Sequence, residues 1–185
     1  MGPGRNALAA VGLLVGLGAM VAVPAVPAVL LPDEGPALPA GRLEVGYGVA
    51  LTVPHGARLH LGDSRPGGGG VTFRTGSTTV TVSAIPVPER PEDFIAHTRR
   101  KFVRDEGQTP GPAQPWHLGS GVTGERADLF AGDGATAGEP GCYGAAVSEG
   151  IGAVVVFSPV AGCTAVPAEI WTAVASMTFE AEKQL

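Results

Sequence analysis

The first strong pattern in the chain is an uncharged, mostly apolar run that covers residues 6–32. A bilayer core needs about 20 apolar residues in helical conformation, and this run is long enough even with Pro24 and Pro27 near its outer end. Arg5 precedes the run and acidic residues follow it, so the positive-inside tendency places the N-terminus in the cytoplasm. We therefore expect residues 1–32 to be a transmembrane signal anchor, with the rest of the chain outside the cytoplasm.

A cleavable signal peptide is the alternative interpretation of the same segment. Small residues at Ala25 and Ala28 have the spacing that a signal peptidase recognises. The apolar run is longer than that of an ordinary signal peptide and continues past both sites, which favours the anchor. Cleavage would make the protein secreted instead of membrane-bound.

Small residues also repeat along one side of the predicted membrane helix. Ala9, Gly12, Gly16 and Ala19 fall on one helix face. Such a face allows two membrane helices to approach closely, so these residues are a candidate dimerisation face.

After a Pro- and Gly-rich linker predicted over residues 33–42, apolar side chains alternate with small or polar ones over residues 45–53. This alternation predicts one half-buried strand. A turn at residues 54–56 leads to a short strand at 57–61. The alternation of valine with threonine and serine near the end of residues 71–84 then predicts a hairpin.

A helix is predicted from Pro91 to Val103. Proline and acidic residues suit its first turn, and the basic residues that follow suit its C-terminal end. Phe94 and Phe102 mark its apolar face. A cluster of basic residues on a helix can also meet anionic lipid headgroups, but a solvated helix face is the simpler interpretation.

The second half predicts a strand at residues 122–130, a hairpin of strands 142–148 and 151–157, and a closing helix that Pro167 opens. The continuously apolar stretch at residues 154–157 is typical of a central strand covered on both faces.

The order of strands, helix, strands and helix predicts an α+β fold, in which an antiparallel sheet of about six to seven strands is packed by two helices. We expect this domain to occupy residues 43–180 and a short tail to follow at 181–185.

Cys142 and Cys163 are the two cysteines of the chain. An even number of cysteines in an exported domain predicts a disulfide. The strand that Cys142 begins and the strand that Cys163 follows are neighbours, so both residues are expected at the same end of a hairpin. A reactive thiol is the alternative, but it needs a base, and no histidine lies near either cysteine in the sequence.

Composition narrows the class of protein further. The formal net charge is −5, which argues against nucleic acid as a partner because phosphate binding needs a concentrated basic face. Alanine, glycine and valine are abundant, and lysine occurs only at Lys101 and Lys183. This bias is typical of a GC-rich genome, such as an actinobacterial one.

Candidate chemistry is sparse. His55, His60 and Asp63 are possible metal ligands, but a turn and a strand do not readily bring all three together, and a fourth ligand is not evident. We expect no metal site and no cofactor.

No residue is assigned a catalytic role. Ser120 lies in a glycine turn without the nucleophile-elbow pattern, and His97 and His117 have no evident triad partner. Asp133 fits a turn, and the glycines at 67–70 lack the lysine and helix of a phosphate-binding loop.

The chain resembles PsbP-like domains and related small actinobacterial envelope proteins over residues 43–179. The resemblance consists of the opening segment Gly46–Pro54, a strand pair that ends at Val82, the helix from Pro91, the late hairpin and the closing segment Ala173–Phe179. It implies a binding or assembly module with no catalytic residues, in envelope assembly or type VII secretion.

Three hypotheses about function follow. The favoured one is a membrane-anchored, non-enzymatic module that binds another envelope protein. The second is a domain that binds a small apolar or lipid ligand between sheet and helices, in a pocket lined by Phe94, Phe102 and Trp171. The third is a hydrolase whose His, Asp and Ser residues come together only in the folded protein.

Overall fold

The computed structural model describes residues 34–88, 90–132 and 138–180. Within these ranges the chain forms two antiparallel sheets and two α-helices, so the predicted α+β class is confirmed. The strands are β1 (Glu34–Ala37), β2 (Gly41–Gly46), β3 (Val49–Val53), β4 (Arg58–His60), β5 (Gly70–Thr75), β6 (Thr78–Pro86), β7 (Gln108–Pro110), β8 (Gln114–His117), β9 (Thr123–Ala131), β10 (Gly141–Ser148), β11 (Ile151–Ser158) and β12 (Thr178–Phe179). The helices are α1 (Pro91–Asp105) and α2 (Ala168–Ala175), and a short 3-10 turn covers Cys163–Ala165.

The larger sheet has nine strands in the order β1-β4-β5-β6-β11-β10-β9-β7, and β8 also pairs with β9. The smaller sheet has three strands in the order β12-β3-β2. The expected number of about six to seven strands is therefore too low. The additional strands are short edge strands, which have too few residues to produce a period-two pattern.

The single strand predicted over residues 45–53 is wrong. The chain reverses at Tyr47 and Gly48, and β2 and β3 form a hairpin in which Gly46 pairs with Val49. Both turn residues have positive φ angles, 53° and 76°, as a two-residue type I′ turn requires. A two-residue turn occupies one full period of the alternation, so Val45 and Val49 are both buried and the pattern continues across the turn without a break.

The linker expected at residues 33–42 is also partly wrong. Residues 34–37 form β1, which pairs with β4, and β2 begins at Gly41. Similarly, two short strands, β7 and β8, lie in the segment 107–119 that the sequence predicts as a loop. Prolines in these segments hide the strand signal, because proline is accepted at sheet edges but lowers strand propensity.

The other predicted elements are confirmed. The helix from Pro91 runs to Asp105. The hairpin β10–β11 turns at Glu149 and Gly150, again with positive φ angles of 51° and 77°. β11 is a central strand between β6 and β10, but the predicted cover on both faces is incomplete, because Val154 and Val156 are only partly buried.

The larger sheet separates two apolar cores. We call its two sides the α2 face and the α1 face after the helix that covers each. On the α2 face, Val82, Val155 and Phe157 pack with residues of β3 and α2 such as Leu51 and Ile170. On the α1 face, a smaller core joins α1 to β9, β10 and β11 through residues that include Phe94, Phe102, Ala127, Leu129 and Tyr143.

The predicted anchor, the candidate dimerisation face at Ala9, Gly12, Gly16 and Ala19, and the tail at 181–185 lie outside the described residues. In the part of the chain that the structure describes, neither helix combines the length and the hydropathy needed to cross a bilayer.

Candidate functional site

The residues considered as metal ligands only partly come together. His60 Nδ1 lies 3.1 Å from Asp63 Oδ2, whereas His55 lies in an exposed turn and does not join them. Among residues 34–88, 90–132 and 138–180, no three His, Cys, Asp or Glu side chains form a group that could hold a metal ion.

The residues considered as nucleophile or base stay apart. Ser120 lies in the exposed turn between β8 and β9, and His117 Nδ1 is 3.4 Å from the Thr123 hydroxyl. His97 lies on α1, and Asp133 is outside the described residues. Within the described ranges, no hydrogen bond joins a serine to a histidine, so the geometry of a catalytic triad is not present there.

The predicted disulfide is confirmed, and it is structural. Cys142 and Cys163 are bonded, and both are buried. The Cys163 N–H donates to Asp128 Oδ1 at 2.6 Å, and Trp171 Nε1 donates to the Cys163 carbonyl at 3.2 Å. These two hydrogen bonds connect the 3-10 turn and α2 to the larger sheet. The disulfide leaves neither cysteine as a free thiol.

A cleft of about 1000 Å³ lies on the α1 face. α1 covers the sheet over β10 and β11 but leaves the neighbouring side of β6 open. The cleft lies between the flank of α1 and this uncovered part of the sheet. We call it the α1 cleft. Its floor is formed by side chains of β6 and β11, including Thr81, Ser83, Val154 and Val156.

The strand register explains why the half of the cleft floor on β11 is apolar and the half on β6 carries hydroxyls. Thr81 lies opposite Val156 and Ser83 lies opposite Val154, so each row across the two strands joins a hydroxyl to a valine. At one end Ile85 is 48% exposed. The floor therefore offers an apolar strip beside a line of hydrogen-bonding groups.

The α1 wall of the cleft is apolar below and charged above. Phe94 and Phe102 line its lower part, and both are buried in the smaller core. His97 and Lys101 line the upper part. Two acidic residues, Glu106 and Glu139, lie in the lining near Gln108, at the end of the cleft where α1 finishes.

A polar network beneath α1 holds this wall in place. Arg99 Nη1 donates to Glu125 Oε1 at 2.9 Å and to the Tyr143 hydroxyl at 3.0 Å, and the Tyr143 hydroxyl donates to Glu125. Arg99 Nη2 also donates to the Gly111 carbonyl at 2.8 Å. The network connects α1 to β9, β10 and the segment after β7.

The electrostatics of this network favour a neutral tyrosine and a charged arginine. Burial and the hydrogen bond to the Glu125 carboxylate raise the pKa of Tyr143 well above its usual value. Burial alone lowers the pKa of Arg99, but the hydrogen bonds and charges of Glu125 and Tyr143 outweigh this effect and raise it. The Tyr143 hydroxyl therefore stays protonated at neutral pH and acts as a hydrogen-bond donor to Glu125 beneath α1.

Sequence reasoning anticipated only parts of this site. Phe94 and Phe102, expected to line a ligand pocket, do line the α1 cleft. Trp171 does not, because it packs on the α2 face against Phe157, with ring centroids 4.8 Å apart. The alternating hydroxyls of β6 and the continuous apolar run of β11 were visible in the sequence, but their juxtaposition with α1 was not.

Among known proteins, the chain has a distant structural similarity and no match in sequence. No family model matches the chain, and no curated protein matches it. Among solved structures, the chain is similar to cyanobacterial PsbP (CyanoP) from Synechocystis sp. PCC 6803, whose solution structure matches with 13% identity over 81% of this chain and 99% of that chain, at a TM-score of 0.46. A similarity at this level carries no conclusion about function.

Proposed function

We propose that this protein is a membrane-tethered, extracytoplasmic, non-enzymatic binding module of the PsbP-like kind, and that it holds a segment of another envelope protein in the α1 cleft. The observation that carries the proposal is the cleft itself: an open groove with an apolar strip, a line of hydroxyls and a charged wall. A buried disulfide suits an oxidising compartment, and the N-terminal apolar run suits membrane attachment.

The surface of the α1 cleft favours binding over catalysis. Val154 and Val156 are only partly buried, so they leave apolar surface available to a partner in the middle of the floor. The hydroxyls beside them bond to either donors or acceptors. A buried apolar core surrounded by a polar rim is the usual composition of a protein–protein interface.

Photocrosslinking in intact cells tests the proposal. The full-length chain would carry p-benzoylphenylalanine at Ser83 or Ile85 in the cleft, and, as a matched control, at the exposed Glu169 of α2 on the opposite side of the sheet. We expect both cleft positions to capture the same envelope protein, with the crosslinks in one short segment of it. Equal capture from Glu169, or none from the cleft, would overturn the proposal.

A small apolar ligand is the second candidate, and one observation favours it. The volume of about 1000 Å³ lies at the upper end of the range for small-molecule sites, and Phe94 and Phe102 line it. In the crosslinking experiment, this candidate predicts that p-benzoylphenylalanine at Ser83 captures a molecule of low mass instead of a protein.

A further inference from the structure

We infer that the domain lies on the bilayer that anchors it, with the loop 61–69 and the adjoining tip of the β2–β3 hairpin in the headgroup layer. We call this part of the domain the loop-61 surface, and its lipid-facing residues are Tyr47, Leu61 and Arg65. The inference rests on the membrane attachment in the proposed function and goes beyond it, because it fixes which end of the domain faces the lipid.

The chain between the apolar run and β1 is short. Leu31 is the last aliphatic residue of the run, and β1 begins three positions later at Glu34. Three residues span about 10 Å when fully extended. The headgroup layer of one leaflet is about 5–8 Å thick, because the whole bilayer measures about 40–45 Å and its hydrocarbon core about 30 Å. An anchor of this kind therefore holds the start of β1 at or just outside the headgroups.

The topology brings the loop 61–69 to the end of the domain where the chain enters. β1 pairs antiparallel with β4, and Glu34 lies opposite His60, the last residue of β4. The loop begins at the next residue, Leu61. The Leu61 side chain lies against the β1 backbone, since a Cβ atom built on Gly35 would be 2.9 Å from Leu61 Cγ. Leu61 is thus next to the point at which the chain enters β1.

The tip of the β2–β3 hairpin adjoins the other end of the loop. The Gly69 N–H donates to the Val45 carbonyl at 3.0 Å. Gly46 also forms a β-bridge with Gly68. The Tyr47 ring covers Gly69, because a Cβ atom built there would be 2.7 Å from the ring. The loop then leads into β5, the neighbour of β4, so both ends of the loop and the hairpin tip lie at the same end of the larger sheet.

The exposed side chains of the loop-61 surface suit a membrane–water interface. Leu61 is 43% exposed and Tyr47 is 40% exposed. Leucine partitions into the boundary between headgroups and acyl chains, and tyrosine is enriched there because its ring is apolar and its hydroxyl is polar. Arg65 is exposed and forms no ion pair with another residue of the described ranges, so its guanidinium is available to a lipid phosphate. Asp63, the acidic residue of the loop, already lies 3.1 Å from His60 Nδ1.

The basic residues of α1 are the competing contact with lipid, and the topology places them elsewhere. Phe94, in the first turn of α1, lies against Gly152, which pairs with Ile85 at the same end of the sheet as the loop. From there α1 runs toward the opposite end, so Lys101 and Arg104 lie about 10–15 Å further along its axis. The basic cluster of α1 is therefore not the part of the domain nearest to the anchor.

Depth measurements on nitroxide side chains test the inference. The full-length chain, in liposomes of phosphatidylcholine with phosphatidylglycerol as the anionic lipid, would carry p-acetylphenylalanine at one position at a time, coupled to a hydroxylamine nitroxide so that the disulfide stays intact. Tyr47 and Leu61 report on the loop-61 surface, and the exposed Val103 of α1 and Phe130 of β9 are matched controls. Power-saturation EPR compares collisions with oxygen, which concentrates in the bilayer, and with a nickel chelate, which stays in water. We expect a higher ratio of oxygen to nickel collisions at Tyr47 and Leu61 than at both controls.

Two variants identify the contribution of the arginine. In chains labelled at Tyr47, Arg65→Gln should lower the ratio of lipid-exposed to water-exposed label about fivefold, the effect of one basic residue at an anionic membrane surface. Arg100→Gln removes the same charge from an exposed position of α1 and should leave the ratio unchanged. Thermal unfolding monitored by circular dichroism would verify that both variants fold.

Several outcomes would contradict the inference. Equal collision ratios at all four positions would overturn it, and so would a higher ratio at Val103 than at Leu61, which would place α1 on the lipid. An equal effect of Arg65→Gln and Arg100→Gln would overturn it as well. If the chain floats with the liposomes in a density gradient while the labels at Tyr47 and Leu61 remain in water, the inference fails and the membrane attachment stands. If the chain does not float, the membrane attachment itself fails, whereas capture of a partner by the cleft is decided separately by the crosslinks.

Discussion

At the scale of single residues, the polar network beneath α1 combines two charges and a neutral hydroxyl in a partly buried place. The side chains of Arg99 and Glu125 are 30% and 17% exposed, and Tyr143 is fully buried. Burying an ion pair is costly unless its remaining hydrogen-bonding capacity is satisfied. The Tyr143 hydroxyl, which bonds to both charged partners, supplies part of that capacity.

Tyr143→Phe should lower the free energy of unfolding at neutral pH by about 1–2 kcal/mol, because both hydrogen bonds of the hydroxyl are lost while Arg99 and Glu125 stay paired. Urea denaturation measures the change. Arg42→Ala is a control that removes exposed ion pairs to Glu44 and Glu180 and should cost less.

The raised pKa of Tyr143 also makes the free energy of unfolding depend on pH in the alkaline range. Its pKa is raised in the folded state, so the folded protein keeps its proton above pH values near 10, where the unfolded chain releases it. The contribution of Tyr143 is fully present below about pH 10 and is lost as the pH rises through the raised pKa. The difference in stability between wild type and Tyr143→Phe should therefore shrink as the pH rises from about 10 toward the raised pKa, and a constant difference would contradict the assigned environment.

At the scale of elements, the position of α1 depends on a glycine in the strand beneath it. Gly152 on β11 faces Phe94 and Val87, and a Cβ atom built there would lie 2.6 Å from each of these side chains. Both contacts are closer than packed carbon atoms tolerate. The wall of the cleft can therefore approach β11 only because this position has no side chain.

Gly152→Ala should destabilise the protein by about 1–3 kcal/mol, because α1 or its phenylalanine must move. Gly70→Ala on β5 is the matched control, since a Cβ there meets nothing within 4 Å, and its effect should stay within about 0.5 kcal/mol. Chemical denaturation of the two variants compares them. Similar losses in both would mean that the close approach of α1 is unimportant.

At the scale of the whole molecule, one covalent bond reinforces the contacts between the larger sheet and the segment that leads into α2. The disulfide links residues 21 apart, from the start of β10 to the 3-10 turn that leads into α2. The aromatic group of Trp171, Trp116 and Phe157 packs in the same region, and the Arg126 guanidinium lies 5.1 Å from the Trp171 ring centroid. The disulfide and this aromatic group therefore lie on the side of the sheet opposite the cleft.

Replacement of both cysteines by alanine should lower the free energy of unfolding by about 3 kcal/mol, the chain-entropy estimate for a loop of this size. Alkylation under non-reducing conditions followed by mass spectrometry should find both thiols of the wild type blocked. Full alkylation of the wild type, or an unchanged denaturation midpoint in the double variant, would contradict a structural role.

By itself, the sequence determined the α+β class, the helix from Pro91 and the hairpin at Glu149–Gly150, because each depends on a local pattern. It also determined the disulfide, because two cysteines can pair within the chain in only one way. It did not determine the hairpin at Tyr47–Gly48, because a two-residue turn keeps the alternation in phase, or the short edge strands, because their length and their prolines hide the pattern. Only the tertiary structure decided that α1 leaves β6 uncovered beside Val154 and Val156, and so created the cleft. That outcome depends on how helix and sheet pack across long separations in sequence, which period and propensity do not encode.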